Sequence, residues 1–222
     1  MVTPARHQCL IYSGSPAAHL RALAAQTLQR LNENYRCLHL NIPKSITALE
    51  LHLRILGVDV AQETERGSLL LSSGQDHLMN GSFDVDGMIG KLEEAIDVAL
   101  SDGYRGLWAT GDMSWEFGPN RDFAKLIEYE RRLEELFTSR TALTGICQYH
   151  SDTLPREVMR DGLGSHAGLF INETLSLVNP FYARQPWPFH EALPTVTLDR
   201  AIEGLCRMGS ERASQQVSEP VS

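Results

Sequence analysis

Short apolar runs alternate along the chain with longer stretches whose apolar residues recur every three to four positions. Residues 8–13 (QCLIYS) predict a strand, and 16–33 a helix with Pro16 near its first turn, where proline is tolerated. A second strand is predicted at 36–41. A helix then starts near Ser45, carries Ile46, Leu49, Leu53 and Leu56, and stops at Gly57. Residues 67–72 (GSLLLS) are strand-like. A long helix follows from Asp84 or Asp86, with Met88, Ile89, Leu92, Ile96 and Leu100 at helical spacing. "YRGLWATGDMSW" predicts a strand running into a polar turn at Gly111-Asp112, and 120–138 a charged amphipathic helix. "TALTGICQYH" is another strand, a short helix follows Pro155, and 168–178 form an extended pair. Strands alternating with helices predict an α/β fold, a mainly parallel central sheet with helices on both faces. In such sheets ligands gather at the carboxyl ends of the strands.

From Asn179 the pattern changes to prolines interleaved with Phe181, Tyr182, Trp187 and Phe189, which predicts an extended arm packed back on the sheet or on a partner. One further helix is expected at 198–208. The expected organisation is therefore a domain at 5–180, an arm and short helix at 181–208, and a polar, disordered tail at 209–222. No internal repeat is visible.

Composition narrows the function. With 222 residues and 42% hydrophobic content the chain can bury a substantial core. The formal charge is −8 with no basic block, which argues against a direct nucleic-acid surface. No apolar stretch approaches the roughly 20 residues that span a bilayer, and no signal-peptide pattern opens the chain. Four cysteines, at 9, 37, 147 and 206, show no C-x-x-C spacing, so neither a zinc ribbon nor a secreted disulfide framework is indicated. The expectation is a cytoplasmic, reduced protein without membrane contact.

Several residues carry candidate chemistry. His7 and Cys9 are two apart on a strand and share a face; such a pair could ligate a metal, activate a thiolate or hydrogen-bond a polar ligand. Equally, Cys9 could be a small core residue and His7 a polar residue at the strand start. Tyr12 stands at the strand's carboxyl end. The loop after it, "SGSPAAH", has Ala17, Ala18 and His19 where a phosphate-binding loop would carry Gly-Lys-Ser/Thr; this predicts a degenerate P-loop with at most a weak anion site at the helix N-terminus. Asp112 follows an apolar strand and is joined by Met113 and Trp115, an apolar wall beside a carboxylate, as ligand pockets have. The alternative is an aspartate that caps the next helix. On that helix Glu134 and Glu135 read as solvated. "ICQYH" puts Cys147 and Tyr149 on one strand face and Gln148 and His150 on the other. His166 follows the glycine-rich "DGLGSH".

Together these stretches resemble the MEDS domain, the methanogen/methylotroph sensory domain of the dichloromethane-regulator type, over about residues 5–180. The resemblance rests on "HQCLIY", "GSFD" with "MIGKLEEAI", "GYRGLWATGDMSW", "YERRLEELF", "GICQYH" and the His166 segment, in that order. It implies a RecA/KaiC-like (Rossmannoid) fold without a functional P-loop that senses small molecules such as simple hydrocarbon derivatives. His7, Cys9 and Tyr12 match the family's first motif, Asp112 and Trp115 its second, and Glu130 is carried over as well. Trp108 and His150 depart from the pattern, where an arginine and an acidic residue are common.

The leading expectation is a stand-alone sensory module rather than an enzyme. It binds a small organic ligand through His7, Cys9, Tyr12, Asp112, Trp115, Glu130, Cys147, Tyr149 and His166, with no catalytic residue and no defined cofactor. The ligand is expected at the strands' carboxyl ends, against Trp115 and Tyr12, with Asp112 and His7 as directed contacts. Neither a helix-turn-helix nor a kinase is read in these residues, so output is expected through a partner kinase or transcription regulator, or in a homodimer. A second expectation is a metal- or haem-responsive regulator using His7 and Cys9 with Cys147 or His166. A third is a residual nucleotide-binding enzyme.

Overall fold

The computed structural model describes residues 5–74, 78–79, 82–114, 122–182 and 195–218. Their elements run β1 (His7–Tyr12), α1 (Ala17–Asn32), β2 (Arg36–Leu40), α2 (Pro43–Ile55), α3 (Val60–Glu65), β3 (Leu69–Ser72), β4 (Leu78–Met79), β5 (Ser82–Phe83), α4 (Val85–Ser101), β6 (Leu107–Asp112), α5 (Phe123–Ser139), β7 (Leu143–His150), α6 (Arg156–Ser165), β8 (Gly168–Asn172), β9 (Leu175–Val178) and α7 (Thr195–Ser218). Seven strands form one sheet in the order β3-β2-β6-β7-β1-β8-β9. All neighbours are parallel except β9, which returns antiparallel along β8. The fold is the α/β arrangement that the alternating pattern predicts.

β1 lies deep in the sheet, between β7 and β8, and all six of its residues are buried. Helices cover both faces, so its apolar positions run almost without a break. Cys9 and Ile11 point to the face packed by α4, α5 and α6, where Met88, Ile96, Leu126, Leu133 and Leu163 complete the core. Leu10 points to the opposite face, where Leu23, Leu49, Leu53 and Trp108 pack beneath α1 and α2.

Local chemistry fixes the helix starts. Asp59, Asp84 and Asp122 accept from the backbone amides of Gln62, Gly87 and Lys125, each satisfying a donor that the first turn leaves open. Asp122, not Asp112, therefore caps α5. The second helix starts earlier than Ser45, because Pro43 supplies the fixed φ and missing donor that suit the first helical position. The short α3 and the β4–β5 hairpin carry no clear apolar period and were not expected. α7 is longer than predicted: residues 209–218, expected as disordered tail, continue its helix, and an Arg207–Glu211 pair four residues apart supports the extra turns. In the arm, Phe181 packs against the core. The rest of it, with Trp187 and Phe189, lies outside the described residues.

One buried polar pair sits between β2 and α1. His39 Nε2 donates to Thr27 Oγ1 at 2.9 Å, and that hydroxyl donates on to the Leu23 carbonyl at 2.7 Å. Burial drives the His39 pKa from 6.5 down to about 3. The unfolded chain thus binds this proton more readily than the fold does. Stability from a neutral His39 is complete above 6.5 and is lost as pH falls from there toward about 3. The slope from one such group is at most about 1.4 kcal/mol per pH unit. Urea unfolding between about pH 7 and pH 5 should lose stability more steeply in the wild type than in His39→Gln.

Two glycines predict opposite effects of one methyl group. A Cβ on Gly162 in α6 would overlap the Tyr149 ring, whereas one on the exposed Gly90 in α4 meets nothing within 4 Å. Gly162→Ala should cost about 1–3 kcal/mol through overpacking. Gly90→Ala should gain up to about 1 kcal/mol from helix propensity, both read from denaturant midpoints.

Candidate functional site

The face covered by α5 and α6 holds a polar cluster sealed in the core. β1 directs His7 and Cys9 into it, and β7, in register with β1, adds Cys147 and Tyr149 on the same side. α5 presents Glu130, Glu134 and Phe137, spaced four and three residues apart and hence on one face. His166 follows the last residue of α6 and leads into β8.

Hydrogen bonds set the tautomers of both histidines. His7 Nδ1 donates to Glu134 Oε2 at 2.6 Å, which leaves Nε2 as an acceptor 3.5 Å from Cys147 Sγ. The His7 ring stacks on Phe137 with centroids 4.1 Å apart and leans on the His166 ring at 3.9 Å. His166 Nδ1 donates to the Gly162 carbonyl at 2.6 Å, with Ser165 Oγ 3.0 Å away, which leaves its Nε2 facing Glu130 Oε2 at 3.6 Å. Among the described residues, no hydrogen bond of regular geometry reaches either Glu130 oxygen or His166 Nε2. Tyr149, Cys147 and Ser165 stand close enough to Glu130 to favour its charged form, but burial outweighs them and pushes its carboxyl up to about 7. Burial takes His7 down to about 3 and also holds His166 well below its ordinary value. It also pushes the Cys9 thiol up, with the Glu130 charge adding to the shift.

The cluster is braced from outside. Tyr182 OH donates to Glu134 Oε1 at 2.6 Å, and Asn179 Nδ2 donates to the carbonyls of Leu163 and His166 at 2.5 and 2.7 Å. Asn179 thereby closes the end of α6 on which His166 stands.

A second group gathers on the other face, at the carboxyl ends of the strands. Tyr12 OH donates to Asp112 Oδ2 at 2.7 Å, while Asp112 Oδ1 accepts from the Ser114 amide at 2.8 Å. The Tyr12 ring lies between His19, centroids 3.9 Å apart, and His150, stacked at 4.7 Å. His150 Nε2 donates to the Gly14 carbonyl at 3.0 Å, and the Gly14 amide donates to Asp152 Oδ2 at 2.7 Å. Gly14 takes a positive φ of 68° at this turn. His19 is buried, and among the described residues neither ring nitrogen makes a hydrogen bond of regular geometry, although the Gln148 side chain lies near. Burial holds His19 neutral, with a pKa lowered to about 3. A cavity of about 30 Å³ opens here, lined by Tyr12, Ser13, Ser15, His19 and Asn172 and closed by Cys206, Gly209 and Ser210 of α7.

The residues expected to share one pocket thus fall into two groups. His7, Cys9, Glu130, Cys147, Tyr149 and His166 meet on the α5/α6 face; Tyr12 and Asp112 meet at the carboxyl ends on the α1 face. His7 and Tyr12 stand at opposite ends of β1 and point to opposite faces, so one small ligand cannot touch both. Trp115 lies outside the described residues. Glu134, read as solvated, is instead bonded to His7 and Tyr182, whereas Glu135 pairs with the exposed Arg131. Sequence reasoning did not single out His19 as a site residue. For Glu130 a signal existed: it falls in phase with Leu126, Leu133 and Phe137 on the apolar stripe of α5.

No curated protein matches this sequence. The family model for MEDS, the methanogen/methylotroph, DcmR sensory domain, matches residues 6–167, from the strand carrying His7 to just past His166. The chain belongs to the MEDS family of sensory domains.

Proposed function

We propose that this sensory domain binds a small, neutral, oxygen-bearing organic molecule at the carboxyl end of β1 and reports its presence to a partner protein through α7. The observation that carries the reading is His19. Its buried imidazole lines the cavity beside the Gln148 side chain, and among the described residues neither nitrogen makes a hydrogen bond of regular geometry, which leaves hydrogen-bonding capacity for a ligand. A hydroxyl or carbonyl would supply the partner. Leu10, Ile11, Ala22 and Ile171 complete an apolar lining suited to a short carbon chain.

Charge favours a neutral ligand. The Gly14 amide, which could meet an anion, already donates to the Asp152 carboxylate, and Asp112 stands beneath Tyr12. The cavity is only about 30 Å³, so a molecule of several heavy atoms must shift the α7 wall formed by Cys206, Gly209 and Ser210. A ligand that fits better with α7 displaced biases the two arrangements, which is what signalling requires. Binding rather than catalysis is further supported at Cys9, whose burial holds it as a thiol rather than a nucleophilic thiolate.

Thermal unfolding with a panel of short alcohols, aldehydes, acids and haloalkanes tests the reading. A true ligand at one hundred times its Kd should stabilise the wild type by about 2.7 kcal/mol. His19→Leu, which keeps bulk and removes both nitrogens, should abolish the gain, while the surface control Glu135→Gln should retain it. Stabilisation by none of the panel, or equal stabilisation of His19→Leu, would sink the proposal.

A further inference from the structure

We propose that His7, Glu130, Cys147 and His166 form a binding site for one divalent first-row transition metal, with zinc as the best fit. Their donor atoms lie within 4.8 Å of one another, and all four residues are buried. The site is separate from the carboxyl-end cavity and does not depend on it.

The donors are already aimed. On each histidine Nδ1 is used, by Glu134 on His7 and by the Gly162 carbonyl on His166, so both Nε2 lone pairs turn into the cluster. A carboxylate or a carbonyl behind a ligating imidazole is the outer shell that metal sites use to fix the tautomer and raise basicity. Beside His166 Nε2 stands Glu130, with both oxygens buried and, among the described residues, neither in a regular hydrogen bond. His166 Nε2 and Glu130 Oε2, 3.6 Å apart, are both acceptors, so a cation or a proton must stand between them. A divalent ion resolves the conflict at once: the Glu130 carboxylate and a Cys147 thiolate cancel its charge, and the two neutral imidazoles complete four donors.

Distances agree with this. Tetrahedral zinc, with bonds of about 2.0–2.3 Å, sets neighbouring donors roughly 3.3–3.7 Å apart. His7 Nε2 lies 3.5 Å from Cys147 Sγ, and His166 Nε2 lies 3.6 Å from Glu130 Oε2. The remaining separations need only a modest contraction. One sulfur, two nitrogens and one oxygen suit a borderline ion such as Zn²⁺ better than Mg²⁺ or Ca²⁺, which prefer oxygen alone. Donors converging on one point also suit a single ion rather than the two opposed faces of a haem. Of the residues expected for a metal, His7, Cys147 and His166 are in this set, and Glu130 stands in place of Cys9. Glu134, which backs His7, is about one-quarter exposed.

Full-chain protein, stripped by chelator and titrated with Zn²⁺ or Co²⁺ alone, tests the site. One equivalent should bind. The Co²⁺ form should show tetrahedral visible bands and a near-ultraviolet thiolate-to-metal transition. That transition should vanish in Cys147→Ser and persist in Cys9→Ser, and Glu134→Gln should weaken affinity about 10–100-fold. Circular dichroism checks that each variant folds. If Cys147→Ser does not fold, zinc-edge X-ray absorption of the wild type should show one sulfur and three nitrogen or oxygen neighbours. No metal uptake, a thiolate band that survives in Cys147→Ser, or a zinc shell without a single sulfur would overturn the assignment.

Discussion

Burial of β1 on both faces is the constraint on which the rest of the structure depends. Every residue of this strand is buried, so the polar groups on it find their partners inside the protein. At the amino end, His7 is met by Glu134 from α5. At the carboxyl end, Tyr12 is met by Asp112 from β6. The two polar clusters are thus two consequences of threading one mixed strand through the middle of a seven-stranded sheet. The strand's pleat then sends them to opposite sides.

The sheet order decides which partners are available. β7 and β8 flank β1 although they are distant in sequence, and they bring Cys147 and His166 beside His7. The same order puts β6 one strand further away, near enough for Asp112 to reach across β7 to Tyr12 at the strand ends. Helices then specialise. α5 and α6 supply acid, carbonyl and hydroxyl groups to the enclosed cluster, while α1 and α7 wall the cavity at the other end.

Much of the framework was legible because its signals are strong. The apolar runs at β1, β2, β6 and β7 and the 3.6-residue stripe of α4 leave little choice of element, and the pairing of His7 with Cys9, or Cys147 with Tyr149, on one face follows from the period of two. What escaped is physically intelligible. α3 is too short for a periodic stripe, and the extended end of α7 is polar, where the hydrophobic pattern falls silent. The division of the site was illegible because alternation fixes faces only within a strand. Whether His7 of β1 looks toward α5 or α1 depends on crossovers that no local window contains. Glu134 was misread for the same reason, since a charged residue beside an apolar stripe looks solvated until its buried partner is known.

Asn179 and Tyr182 have one more consequence. Both lie beyond the residues matched by the family model, yet Asn179 holds the last carbonyls of α6 and Tyr182 holds the carboxylate that grips His7. The end of α6, β8, β9 and the turn after β9 are therefore tied into one loop of mutual support. Local opening of that turn releases the His166 carbonyl and one Glu134 oxygen together. Shared hydrogen bonds of this kind couple the opening of neighbouring segments, and opening here would expose the sealed cluster to solvent.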